Sequence, residues 1–164
     1  MTTKIETKYV VDASQKKMIV EREFAAPVSR VWAAWTQKDL LDKWWAPKPW
    51  KAETKSMNFK DGGHWHYSMV GPDGTRMWAR IDYSNIEFEK RFDARDTFCD
   101  ENGNENNDLP KMSWKNLFQS SATGTKVVIE ILYKSEADMK TIIEMGFKEG
   151  FAMAHDNLDE LLAQ

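Results

Sequence analysis

Residues 135–163 read SEADMKTIIEMGFKEGFAMAHDNLDELLA, and their spacing constrains the architecture of the whole chain. Ser135 with an acid three residues on, Asp138, is a helix-start signature: the hydroxyl caps an amide that the first turn leaves unpaired. Met139, Ile142, Ile143, Phe147, Phe151, Ala154, Leu158, Leu161 and Leu162 then recur at steps of three and four, the repeat of one helical face. The spacing predicts one long helix over 135–163. Gly146 and Gly150 stand inside it, where each costs about 1 kcal/mol relative to Ala. They predict a bend or a close backbone approach. A helix with so long an apolar stripe needs a second layer to cover it.

That layer is legible upstream. Residues 17–24, KMIVEREF, alternate as a strand, with Met18, Val20 and Arg22 on one face and Ile19, Glu21 and Glu23 on the other. Residues 4–11 read as an earlier strand or an ordered arm. Ala26-Pro27 ends the strand, and 28–36 follow as an amphipathic helix through Val28, Val31, Trp32 and Trp35. A second short helix over 38–45 stops before Pro47. From Trp50 the period changes to two. Segments 50–59, 64–70, 76–88, 90–99, 111–121 and 125–133 read as strands. Asp61-Gly62-Gly63, Gly71-Pro72-Asp73-Gly74 and Ala122-Thr123-Gly124 mark turns between them, and 100–110 is a polar hairpin loop. Short turns imply an antiparallel meander. The expected class is α+β: one domain over 1–164, with a curved antiparallel sheet around a long C-terminal helix. The wedge between sheet and helix is either packed shut or left as a cavity.

Segment 40–50, LLDKWWAPKPW, concentrates Trp44, Trp45 and Trp50 between two prolines. Proline fixes φ and removes a donor, so the segment is stiff without being helical. Its tryptophans either plug one end of the core or wall a site.

Composition narrows the function classes. The 164 residues carry a net charge of −3 and no basic stripe, which argues against nucleic acid. No apolar run has the length of a membrane span. The polar N-terminal segment lacks a signal-peptide core, and the single Cys99 suits a reducing compartment; the expected setting is cytoplasmic. Eight Trp, eight Phe, four Tyr and nine Met supply adaptable apolar surface.

Chemistry-bearing motifs are few. His64 and His66 share one strand face, but the remaining histidine, His155, is far away in sequence on the last helix, so no metal site is expected. Cys99 beside an acidic loop reads as a passive thiol. No nucleophile elbow, phosphate loop or dinucleotide fingerprint is present, and no cofactor is expected. On 76–88, Trp78, Arg80 and Asp82 share one face, while Met77, Ala79, Ile81 and Tyr83 share the other. Either an Arg/Asp pair or a Tyr hydroxyl therefore points inward. Asn116 shares its face with Met112, Trp114 and Phe118, and a buried Asn needs a partner.

The order of elements and several motifs resemble the START-like, birch-pollen-allergen-like helix-grip (SRPBCC) superfamily, and within it the family homologous to the activator of heat-shock-protein ATPase. The resemblance covers about 17–163. It rests on Phe24-Ala25-Ala26-Pro27 with Val31-Trp32, on Leu40-Leu41-Asp42-Lys43-Trp44-Trp45-Ala46-Pro47, and on Asp61-Gly62-Gly63-His64-Trp65 with Gly71-Pro72-Asp73-Gly74. Asp100-Glu101-Asn102-Gly103-Asn104, and Gly146 to Phe151 with Leu158-Asp159-Glu160-Leu161, complete it. Many relatives have glycines where this chain has Ala46 and Lys48-Pro49-Trp50.

The resemblance implies the helix-grip fold, with Trp32, Trp35, Trp44 and Trp45 closing one end. It also implies that Trp65, Tyr67 and Met69 point inward and both neighbouring histidines outward. Its members include carriers of hydrophobic molecules, aromatic polyketide cyclases and co-chaperone domains. The leading expectation is a hydrophobic or aromatic small molecule held between the sheet and the last helix. Candidate contacts are Trp45, Trp50, Trp65, Tyr67, Met69, Trp78, Arg80, Tyr83, Trp114, Asn116, Phe147 and Phe151. One alternative is a cyclase or hydrolase using Arg80/Asp82 or Glu149/His155 as acid and base. The other is a co-chaperone-like interaction domain; a protein partner or a homodimer stays open.

Overall fold

The computed structural model describes residues 5–164; Lys4, the first residue of the expected N-terminal arm, lies outside them. Among the described residues eight strands form a single sheet: β1 (Lys8–Asp12), β2 (Lys17–Phe24), β3 (Lys51–Met57), β4 (His64–Val70), β5 (Arg76–Glu87), β6 (Arg91–Phe98), β7 (Met112–Ser121) and β8 (Gly124–Tyr133). Every neighbouring pair is antiparallel, in the order β1-β2-β8-β7-β6-β5-β4-β3. Strands β3 to β8 form the meander expected from the turn signals. The pairing of β2 with β8, Phe24 opposite Thr125 and Lys17 opposite Leu132, joins the two ends of the core. It places the face of Met18, Val20, Arg22 and Phe24 inward, all buried.

Helices α1 (Val28–Thr36) and α2 (Lys38–Trp44) carry the chain from β2 to β3 at the opposite edge of the sheet. Their buried residues are Val31, Trp32, Ala34 and Trp35, then Leu41 and Trp44. Trp32 meets Phe59, Phe92 and Phe118 edge to face, and Trp35 lies 4.6 Å from Trp44 between ring centres. Such edge-on pairs align the positive rim of one ring with the negative face of another.

The C-terminal segment is two helices rather than the single one its stripe predicts: α3 (Glu136–Glu144) and α4 (Phe147–Leu162). Ser135 caps α3 as expected, its Oγ accepting from the Asp138 amide at 3.0 Å. Gly146 then adopts φ +90°, a left-handed conformation that glycine reaches without a Cβ penalty. The stripe runs on because both helices lie over the core, but the axis breaks. Phe151, Ala154, His155, Leu158 and Leu162 are the buried apolar and aromatic face of α4. Asn157 donates to the carbonyls of Trp44 and Ala46 at 3.4 and 3.1 Å, fastening α4 to the tryptophan segment. Buried Arg22 forms ion pairs with Asp156 and Asp159, fastening the same helix to β2.

Candidate functional site

The alternation of each strand decides which side chains face the helices. On β4, Trp65 and Tyr67 point inward and stack at 3.8 Å. On β5, Ala79, Ile81 and Tyr83 are buried on the inner face, so the choice left open by the sequence falls to the tyrosine. On β6 the inward set is Phe92, Ala94, Asp96 and Phe98. On β7 it is Met112, Trp114, Asn116 and Phe118.

Between this face and α3–α4 lies a cavity of about 220 Å3. Tyr67, Met69, Ala79, Phe98, Met112 and Trp114 line it from the sheet, Ile142, Gly146, Phe147 and Phe151 from the helices, and Trp45 and Pro47 from the tryptophan segment. Met77 and Met145 also line it and are 42% and 47% exposed, so they mark its mouth. The break at Gly146 sits at that mouth. Trp45 is held by its indole N–H, which donates to the Tyr67 hydroxyl at 2.9 Å.

Among the described residues Asp96 is the one charged side chain in this lining. It pairs across the sheet with Ile81 and Met112. Among the described residues no hydrogen bond or ion pair reaches its carboxyl. Burial without a partner disfavours the ionised form and pushes the Asp96 pKa up to about 7. Asp96 was not among the candidates drawn from the sequence. Its signal was a single acid in the set Phe92, Ala94, Asp96, Phe98 on one face of a strand.

The sequence candidates divide into three groups. Trp45, Tyr67, Met69, Trp114, Phe147 and Phe151 meet around the cavity. Trp65, Tyr83 and Asn116 instead surround a separate void of about 20 Å3 deeper in the core. Asn116 donates there to the Phe92 carbonyl at 3.2 Å, and its Oδ1 has no partner. In the third group Trp50 and Arg80 line neither void, and Trp78 borders the cavity while its ring turns to the outer face. Trp50 packs its ring against the Gly71 turn. The ring of Trp78 is on the outer face, 5.1 Å from His66 and below the Lys55 ammonium. Arg80 is also on the outer face, donating to Asp82 at 2.9 and 3.0 Å. Trp50 and Arg80 do not reach the cavity, because the proline-fixed turn and strand alternation aim them elsewhere.

The expected acid–base pairs are therefore not in the cavity. Glu149 is exposed, and His155 is enclosed by Phe24, Trp35, Trp44 and Phe151. Its Nδ1 bonds Thr7 Oγ1 at 2.8 Å, while Nε2 is buried without a partner. Desolvation, aided by the Arg22 charge, lowers its pKa to about 3, so it is neutral. His64 and His66 point to the outer face, but His66 is buried there. The loop after β6 covers it, and its Nε2 lies 3.1 Å from the Asp100 carbonyl. Among the described residues no group of three or more His, Cys, Asp or Glu could hold a metal. Burial and Asp100 push the Cys99 thiol up to about 11.

The family described as "Activator of Hsp90 ATPase homolog 1-like protein" matches residues 25–163. The chain belongs to this family. A solution structure of an Arthrobacter aurescens protein is 30% identical over 95% of this chain and 91% of its own, with a TM-score of 0.89. A Mycobacterium smegmatis crystal structure is 29% identical over 96% of both chains, with a TM-score of 0.88. A Nitrosomonas europaea protein is 28% identical over 94% of this chain and 97% of its own, with a TM-score of 0.80. No curated protein sequence matches significantly. The Activator of Hsp90 ATPase homolog 1-like fold accounts for the helix grip, and no helix among the described residues is long and apolar enough to cross a membrane.

Proposed function

We propose that this chain is a binding domain that holds a hydrophobic or aromatic small molecule between the sheet and helices α3–α4. The observation that carries the reading is the apolar cavity of about 220 Å3 with a methionine-edged mouth. Filled cores keep few voids larger than a water molecule, and a lined, open cavity is the usual form of a small-molecule site. The volume lies below the roughly 300–1,000 Å3 of drug-sized sites, so the occupant is a compact molecule of about one ring system. Its affinity comes from burying apolar surface, about 25 cal/mol per Å2, against rings already held in place.

The test uses a neutral aromatic probe, 2-methylnaphthalene, followed by quenching of tryptophan fluorescence from Trp45 and Trp114. Saturable quenching is expected. Ala79→Phe, which fills the cavity from its wall, is expected to abolish it while the thermal unfolding transition stays cooperative. No saturable binding to the wild-type chain would overturn the reading.

A second reading, an enzyme acting on an aromatic substrate, is favoured by Asp96. A carboxyl raised to about 7 is suited to giving and taking a proton near neutral pH. Among the described residues no Ser, Cys or Lys side chain lines the cavity, so this reading is proton transfer, as in a cyclase, rather than covalent hydrolysis. The family description carries the co-chaperone reading, in which the chain acts through its surface; failure of every small-molecule probe favours it.

A further inference from the structure

We propose that the molecule held in this cavity is a hydrophobic amine, its ammonium paired with the Asp96 carboxylate and its apolar body lying against Trp45, Trp114, Phe147 and Phe151. This rests on the binding reading above and adds the chemical class of the occupant. Asp96 supplies one charge to a wall that is otherwise apolar. Its carboxyl is half-buried and has no partner among the described residues, and an unpaired acid withdrawn from water is costly to maintain. Among the groups that feel its charge are Tyr67 on β4, Tyr83 on β5, Tyr133 on β8 and Cys99 beyond the end of β6. All are neutral at ordinary pH, each raised from its usual value by burial. Among the described residues no Lys or Arg side chain lines the cavity, and Arg80 spends its guanidinium on Asp82 of the same strand, on the outer face. The complementary cation must therefore come with the ligand.

The rest of the wall agrees with this. The Tyr67 hydroxyl already accepts the Trp45 indole proton, which leaves Asp96 as the strong acceptor. Aromatic faces attract a cation through their quadrupole, most of all when water is excluded. An anionic ligand, such as a fatty acid, would bring a second negative charge beside Asp96 with nothing to neutralise either. The same geometry thus selects against carboxylates as firmly as it selects for amines. Because burial pushes the Asp96 pKa up to about 7, the carboxyl is partly protonated near neutrality, and an arriving ammonium draws it back to the charged form.

The experiment compares three probes of one shape at pH 7.5 by calorimetry: 2-naphthylmethylamine, 2-methylnaphthalene and 2-naphthoate. The amine is expected to bind at least tenfold more tightly than the neutral hydrocarbon, and the carboxylate not measurably. In Asp96→Asn, checked for a native circular dichroism spectrum and melting transition, the amine is expected to fall to within about threefold of the hydrocarbon. Equal binding of amine and hydrocarbon by the wild-type chain would overturn the amine anchor and leave the cavity reading intact. Preferred binding of the carboxylate, or an amine preference that persists in Asp96→Asn, would overturn it equally. Binding by none of the three would remove both readings together. The comparison within the wild-type chain decides the matter even if Asp96→Asn does not fold.

Discussion

The indole N–H of Trp45 donates to the hydroxyl of Tyr67 at 2.9 Å, and both side chains are buried. The bond joins the tryptophan segment to the inner face of β4, at the wall of the cavity. Its neighbour Trp44 turns the other way and donates to the Ala34 carbonyl at 2.9 Å. One tryptophan of the pair therefore closes the end of the core while the other walls the cavity.

Tyr67→Phe leaves the Trp45 N–H buried without an acceptor. Such a loss costs about 1–3 kcal/mol. Urea unfolding should show a lower midpoint with an unchanged m-value. A change within about 0.5 kcal/mol, the level of a surface substitution, would mean that Trp45 finds another acceptor.

Asp96 and His155 give stability opposite dependences on pH. The folded-state pKa of Asp96, about 7, lies above its ordinary 3.8, so the native chain binds the extra proton. Its contribution is fully present below about pH 4 and is lost as pH rises through about 7. Asp96→Asn should therefore gain on the wild type between pH 4 and pH 8, by about 1–4 kcal/mol. Chemical denaturation at both pH values measures this, and a gain that does not grow with pH contradicts the unpaired, desolvated carboxyl.

For His155 the sign reverses. Its folded-state pKa of about 3 lies below the ordinary 6.5, so the unfolded chain binds the extra proton. This contribution is present above about pH 6.5 and is lost as pH falls toward 3. His155→Phe keeps a ring among Phe24, Trp35, Trp44 and Phe151. It should gain on the wild type by about 1–3 kcal/mol between pH 7 and pH 4.5. Between about pH 4 and 6.5 the two groups oppose each other in the wild-type chain, so only the variants reveal the separate slopes.

The two glycines of the C-terminal segment should respond differently. A Cβ at Gly150 would sit 3.6 Å from Pro47 Cγ, an ordinary contact, inside a helix. Gly150→Ala should stabilise the chain by about 0.4–1 kcal/mol. Gly146, at φ +90°, has open space for a Cβ but a backbone that L-residues avoid, and Gly146→Ala should cost about 1–2 kcal/mol. Thermal melts of the two variants should move in opposite directions.

Leu158 is completely buried on α4. Leu158→Ala should cost about 2–5 kcal/mol, read from the denaturation midpoint. A loss below about 0.5 kcal/mol would take Leu158 out of the core.

The elements of this chain were written in local spacing. The alternation of 64–70 and 125–133 made strands, the three-and-four stripe made helix, and Ser135 marked where that helix begins. The α+β class and the helix grip followed, because an antiparallel meander and an apolar helix face have few ways to cover each other. Tertiary structure decided what local spacing leaves free. Arg76 to Glu87 has alternating faces that both mix polar and apolar residues, and only its place between β4 and β6 turned Tyr83 in and Arg80 out. Gly146 fits a helix or a left-handed break equally well by spacing, and the packing of α3 and α4 over the sheet selected the break. Asp96 looked like one more charge on a strand rich in Arg and Asp. The register of β6 against β5 and β7 set it between Ile81 and Met112, facing the cavity. Periodicity is a property of neighbours along the chain, whereas a cavity and the charge within it are made by residues far apart in sequence, and only the folded pairing brings them to one place.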